Sequence, residues 1–133
     1  MTSKIQMAAR IVLGLIYFVF GGMGLGIALG LMPMPSSPMP EGATAFMKGI
    51  MGSGYFLPML KITETSCGFL LLFNLAPAFA LVVLAPITLN IILFHTYLTP
   101  GLGNLGLPAV MSLAQCIAMS GYWKMYKPLF SKK

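Results

Sequence analysis

Between Leu57 and Leu98 the chain reads LPMLKITETSCGFLLLFNLAPAFALVVLAPITLNIILFHTYL. Two apolar runs, Leu57–Leu75 and Ala78–Tyr97, flank one tight turn, Asn74-Leu75-Ala76-Pro77. Each run has the roughly 20 residues with which a helix, at about 1.5 Å per residue, crosses the ~30 Å hydrocarbon core of a bilayer. The pair therefore predicts a transmembrane helical hairpin. Its interior holds few ionisable or amide side chains: Lys61, Glu64, Asn90 and His95.

The rest of the chain fits that constraint. Hydrophobic residues make up 58% of the 133 and charged residues 8%. A soluble domain carries about 25% charged residues, so there are too few here to cover a water-facing surface. The reading is one membrane domain over residues 1–133, an all-α integral membrane four-helix bundle. Its helices are expected at about 9–31, 57–75, 78–97 and 108–126. The apolar core of a signal peptide is shorter than the run Ile11–Leu31, which reads as a retained helix. Residues 32–56 read as a loop, because Pro33, Pro35, Pro38 and Pro40 interrupt any helix. Within it, Phe46 with Ile50 and Met47 with Met51 have helical spacing and predict a short interfacial helix over 43–51. Pro77 suits the first turn of the third helix, Pro86 should kink it, and Pro108 is expected to open the fourth.

The net charge of +6 does not imply nucleic acid. Lys4 and Arg10 precede the first apolar run, and Lys124, Lys127, Lys132 and Lys133 follow the last. With four helices both termini share one side, and these charges place that side in the cytoplasm. The loops 32–56 and 98–107 then face outward. Tyr122, Trp123 and Tyr126 beside the lysines form an aromatic belt at the inner interface.

On that topology Glu64, Asn90 and Gln115 all lie roughly 10–12 Å below the outer surface, at about 1.5 Å per residue. His95 is nearer that surface, and Lys61 is one turn from Glu64. Burying such groups in lipid is costly, so they turn inward and find partners. One polar layer in the outward half of the bundle is expected. It serves either as glue between helices or as the wall of a ligand site built from Lys61, Glu64, Asn90, His95 and Gln115. Gly22, Gly26 and Gly30 recur every fourth residue, which suits close helix packing inside the bundle or in a homo-oligomer.

Other chemistry is sparse. Met32, Met34 and Met39 have the thioethers of a Cu(I) site, but methionine is common in this chain, with 12 residues. One histidine and two acids supply no metal site and no nucleophilic triad. Cys67 and Cys116 lie at similar depths, which allows a disulfide or two buried thiols. There is no Cys-x-x-Cys pair for thiol redox work.

One family resemblance runs along the chain. Gly54-Tyr55-Phe56-Leu57-Pro58 leads to Lys61 and Glu64, then to Gly68-Phe69-Leu70-Leu71-Leu72. Ala85-Pro86, Asn90-Ile91-Ile92-Leu93-Phe94-His95 and Pro100 follow. Ala9-Arg10-Ile11, Leu13-Gly14-Leu15 and Phe20-Gly21 precede. The whole resembles the DoxX family of small bacterial four-helix membrane proteins. The family often has asparagine after the Phe-Gly of helix one, where this chain has Gly22. Its glutamate and histidine correspond to Glu64 and His95. The resemblance implies the bacterial inner membrane. Some relatives are associated with quinone-linked oxidation of sulfur compounds and others with membrane-anchored redox-defence assemblies.

Three functions follow as expectations. The first is an accessory subunit, without activity of its own, that binds a redox-enzyme partner or a lipophilic molecule such as a quinone. The second is a quinone-linked oxidoreductase subunit in which Glu64 and His95 move protons as catalytic groups. The third is a small-molecule transporter.

Overall fold

A computed structural model describes residues 3–132. These residues form α1 (Lys4–Ala28), α2 (Glu41–Gly52), α3 (Phe56–Leu72), α4 (Pro77–Leu93), α5 (Leu102–Ser120) and α6 (Trp123–Tyr126). A π-helical turn, Phe94–Leu98, extends α4, and a 3-10 turn, Lys127–Phe130, follows α6. No strand occurs among the described residues. The architecture is all-α.

Three helices are long and apolar enough to cross a membrane: α1, α4 with its π turn, and α5. Their outer faces are apolar, with Phe79, Leu89 and Leu113 all more than half exposed. Such a surface suits lipid tails and not water, so the chain is a membrane protein. The fourth long helix, α3, has 17 residues and carries Lys61 and Glu64. It packs along α1 and touches α4 more sparsely. Leu13 and Tyr17 of α1, Leu71 of α3, Leu81 and Leu84 of α4 and Met111 of α5 share one core.

Local signals explain where the helices begin and end. Ser3 and Gln6 make a reciprocal capping box, so α1 starts at Lys4 and not near residue 9. It ends at Ala28, where Gly30 takes φ +76° and Leu31 N–H reaches the Gly26 carbonyl at 2.8 Å. That is a Schellman closure. Asn74 and Ala76 adopt left-handed backbone at the turn before α4, and Pro77 occupies its first position. The residues from Leu102 onward are already helical, so Pro108 lies inside α5 instead of opening it. That helix ends at Ser120, and Tyr122, Trp123 and Tyr126 belong to the turn and to α6. Within the stretch expected as a loop, the short helix expected over 43–51 is α2, Glu41–Gly52.

The glycine stripe read from sequence, Gly22, Gly26 and Gly30, is not where α1 meets α3. A Cβ at Gly68 would lie 2.5 Å from the Phe18 nitrogen and 2.8 Å from the Gly14 carbonyl oxygen. One at Gly14 would lie 2.8 Å from Leu71 Cβ. These glycines let the antiparallel helices α1 and α3 touch backbone to backbone. A Cβ at Gly22 or Gly30 would meet nothing within 4 Å, and Gly26 faces Met32 of the following loop. Gly30 terminates a helix, and Gly22 points into open space.

Candidate functional site

Glu64 sits one turn below Lys61 on α3 and is 3% exposed. Lys61 Nζ donates to its Oε2 at 2.9 Å. Residues three apart on a helix are neighbours, so the pair forms within one element. Helix α1 makes room for it. Added Cβ atoms would meet Glu64 Cβ at 3.0 Å from Gly21 and Lys61 Cδ at 2.6 Å from Gly24. A lysine free to reach outward to water is instead laid back along α1 onto the carboxylate. Its side chain stays 23% exposed, against 4% for Glu64.

The pair opens onto a cavity of about 290 Å³ whose wall also includes Tyr17, Asn90 and His95. A second chamber, of about 420 Å³, shares Glu64 and Asn90 and runs past Ser53 and Pro86. Helix α2 covers both chambers with Phe46 and Ile50. It is held by buried Ala43 and by Phe46 against Phe94, with ring centroids 5.5 Å apart. His95 lies in the π turn, a distortion common at functional positions. Its Nδ1 is 2.8 Å from the Ile91 carbonyl. A carbonyl only accepts, so Nδ1 carries a proton, and Nε2 makes no hydrogen bond to another described residue. Asn90 is exposed along the chambers and makes no side-chain hydrogen bond to another described residue.

The predicted polar layer is divided. Glu64, Lys61, Asn90 and His95 share the cavity, but Gln115 does not line it. Gln115 Nε2 donates to the Leu81 carbonyl at 2.8 Å, which turns Oε1 toward Thr88 Oγ1 at 3.0 Å. The single Thr88 proton goes to that oxygen. Tyr17 Oη, 2.6 Å from Thr88 Oγ1, must then be the donor between them. This buried chain joins α1, α4 and α5 and has a structural role.

Sequence reasoning missed Tyr17, Thr88 and Arg10. Tyr17 is the only side chain with a hydrogen-bonding group in the run Ile11–Leu31, a signal available from sequence. Arg10 reads as a flanking charge but is 7% exposed, and its Nη1 donates to the Leu71 carbonyl. A cation there complements the C-terminal end of α3. At the same end, Gln6 Nε2 donates to Ser120 Oγ at 2.9 Å, and Tyr126 Oη donates to the Ala78 carbonyl at 2.8 Å. Burial pushes the Tyr126 phenol up to about 12.

Cys67 is buried and Cys116 exposed, and both are free thiols. Met32, Met34 and Met39 are all exposed, and no cluster of three or more His, Cys, Asp or Glu side chains occurs among the described residues. What the site offers is an ion pair, an imidazole and a carboxamide on an apolar wall. That suits binding a molecule with an apolar body and a small polar head, and it suits proton transfer at that head. No known family, characterised protein or solved structure matches this chain.

Proposed function

We propose that the chain is a four-helix inner-membrane protein resembling the DoxX family, with both termini cytoplasmic and α4 kinked at Pro86. It acts as an accessory subunit that binds a lipophilic molecule, such as a quinone, in the cavity at Glu64. The observation that carries this reading is buried Glu64, paired with part-exposed Lys61, facing an apolar cavity of about 290 Å³ inside a membrane protein. Charged side chains within apolar, membrane-spanning sequence are costly to bury, and where they occur they commonly mark a functional position. The topology is supported by the Gln6–Ser120 contact, which brings the two ends of the chain together on the side rich in lysine. Native mass spectrometry of protein released directly from membranes tests the reading. A bound small molecule or a co-ejected redox-enzyme partner supports it. Bare protein under conditions that preserve lipid adducts on a control removes it.

A second reading is favoured by His95 facing the same cavity as Glu64. In it the two groups exchange protons with a bound quinone during turnover of a larger oxidoreductase. Quinone-dependent turnover of that assembly would then fall on Glu64→Gln, and unchanged turnover would discard this version while leaving the binding role intact.

A further inference from the structure

Around the cavity most side-chain donors are already engaged, the free Asn90 carboxamide apart, while Glu64 keeps an acceptor without a partner. Tyr17 gives its proton to Thr88, Thr88 gives its own to Gln115, and Gln115 gives an N–H to Leu81. His95 Nδ1 is committed to Ile91, and Lys61 donates to Glu64 Oε2 from the more exposed rim. Glu64 Oε1 has no partner among the described residues, although the residue is 3% exposed. That oxygen is not sealed in protein. The one enclosed side-chain polar atom without a partner among the described residues is Thr99 Oγ1. Oε1 is therefore not enclosed, on a residue that lines the cavity, where His95 Nε2 is also without a partner among the described residues.

Resting on the lipophile-binding reading above, we infer that the ligand's head is neutral and brings its own hydrogen-bond donor, a hydroxyl or phenol, to Glu64 Oε1. A carboxylate of an ion pair only accepts, so a head with acceptors alone leaves it desolvated and unpaired. An anionic head meets a carboxylate whose compensating charge is already engaged, and like charges repel. Asn90, reached from both chambers, is the group free to receive the remaining polar atom of the head. The tail lies along the second chamber, past Phe56, Leu60, Pro86 and Ile87. The site selects a protonated alcohol-type amphiphile over the matched ether or acid.

Three probes with one ring and one tail separate these cases: 4-decylphenol, 4-decylanisole and 4-decylbenzoate. Their affinities are measured on the full chain in lipid nanodiscs, corrected for partition into empty discs. The phenol should bind about ten-fold more tightly than the anisole, the loss expected when a hydrogen bond to a charged acceptor is removed. The benzoate should bind more weakly than the phenol. Glu64→Gln should remove most of the discrimination against benzoate. Asn90→Leu, at an exposed position where folding is little affected, should weaken the phenol. Anisole binding as tightly as phenol, benzoate binding most tightly, or the same benzoate-to-phenol ratio in Glu64→Gln would each overturn the donor requirement while leaving a lipophile site standing. Failure of all three probes to bind would overturn the lipophile reading itself.

Discussion

The two ends of this molecule treat polar groups in opposite ways. At the end where α1 begins and α5 finishes, buried Arg10 and Tyr126 have protein partners, the Leu71 and Ala78 carbonyls, and Gln6 bonds Ser120 at the surface. Toward the α2 end, Glu64 keeps a free oxygen and Asn90 is without a partner among the described residues. Between them the Tyr17–Thr88–Gln115 chain ends on the Leu81 carbonyl and marks the boundary. Saturated contacts lock helices in lipid, whereas unsaturated groups beside a void are where a ligand gains its affinity. The difference separates structure from site without any reference to relatives.

The largest effect is expected where the helices touch. Gly68→Ala forces a methyl into the backbone of α1 and should cost about 3 kcal/mol, read as a lowered melting temperature in detergent. Gly22→Ala, which meets open space, should change stability by less than about 0.5 kcal/mol. Equal effects at the two positions would mean that helices α1 and α3 are packed differently.

That pair of substitutions also marks what could be read from the sequence. The apolar runs announce the long helices, because a run of that length has few other uses in a chain with 8% charged residues. Glu64, Lys61, Asn90 and His95 could be picked out because each is conspicuous on an apolar background. Which glycines matter could not be seen. A spacing of four describes one helix, but contact depends on the facing surface, and Gly14 and Gly21 are matched by Gly68 and Thr65 on α3. Depth also failed to predict partners. Gln115 and Glu64 have similar expected depths, yet rotation about the helix axes sends one to Thr88 and the other to the cavity. The early start of α5 escaped because Pro108 is tolerated within it, although proline is more familiar in a first turn.

A second contrast lies across the boundary. Gln115→Leu strands the Thr88 hydroxyl and should cost about 1–2 kcal/mol of stability, with ligand binding affected only through folding. Asn90→Leu should leave the melting temperature nearly unchanged and weaken ligand binding. The reverse pattern would exchange the roles of the two amides.

The smallest effect concerns the saturated end. Tyr126→Phe loses one buried hydrogen bond and should cost about 1 kcal/mol near neutral pH. The phenol is raised from an ordinary 10.0 to about 12 in the folded protein. Its neutral form is thus favoured by folding, so its contribution is complete below pH 10 and is lost as pH rises toward 12. Melting temperatures of parent and variant should converge across that window. A gap that persists above pH 12 would mean that the hydroxyl is not buried as described.

The most direct measurement fills the site. Leu60 lines both chambers, and Leu60→Trp would occupy them without touching the saturated end. Native mass spectrometry from membranes, paired with melting curves, should show a small-molecule adduct on the parent chain. The adduct should be lost from Leu60→Trp, with a melting temperature equal to or above that of ligand-free parent, because filling a void tends to stabilise. An adduct that survives the substitution would place the ligand elsewhere and contradict the division of the molecule into a structural end and a binding end.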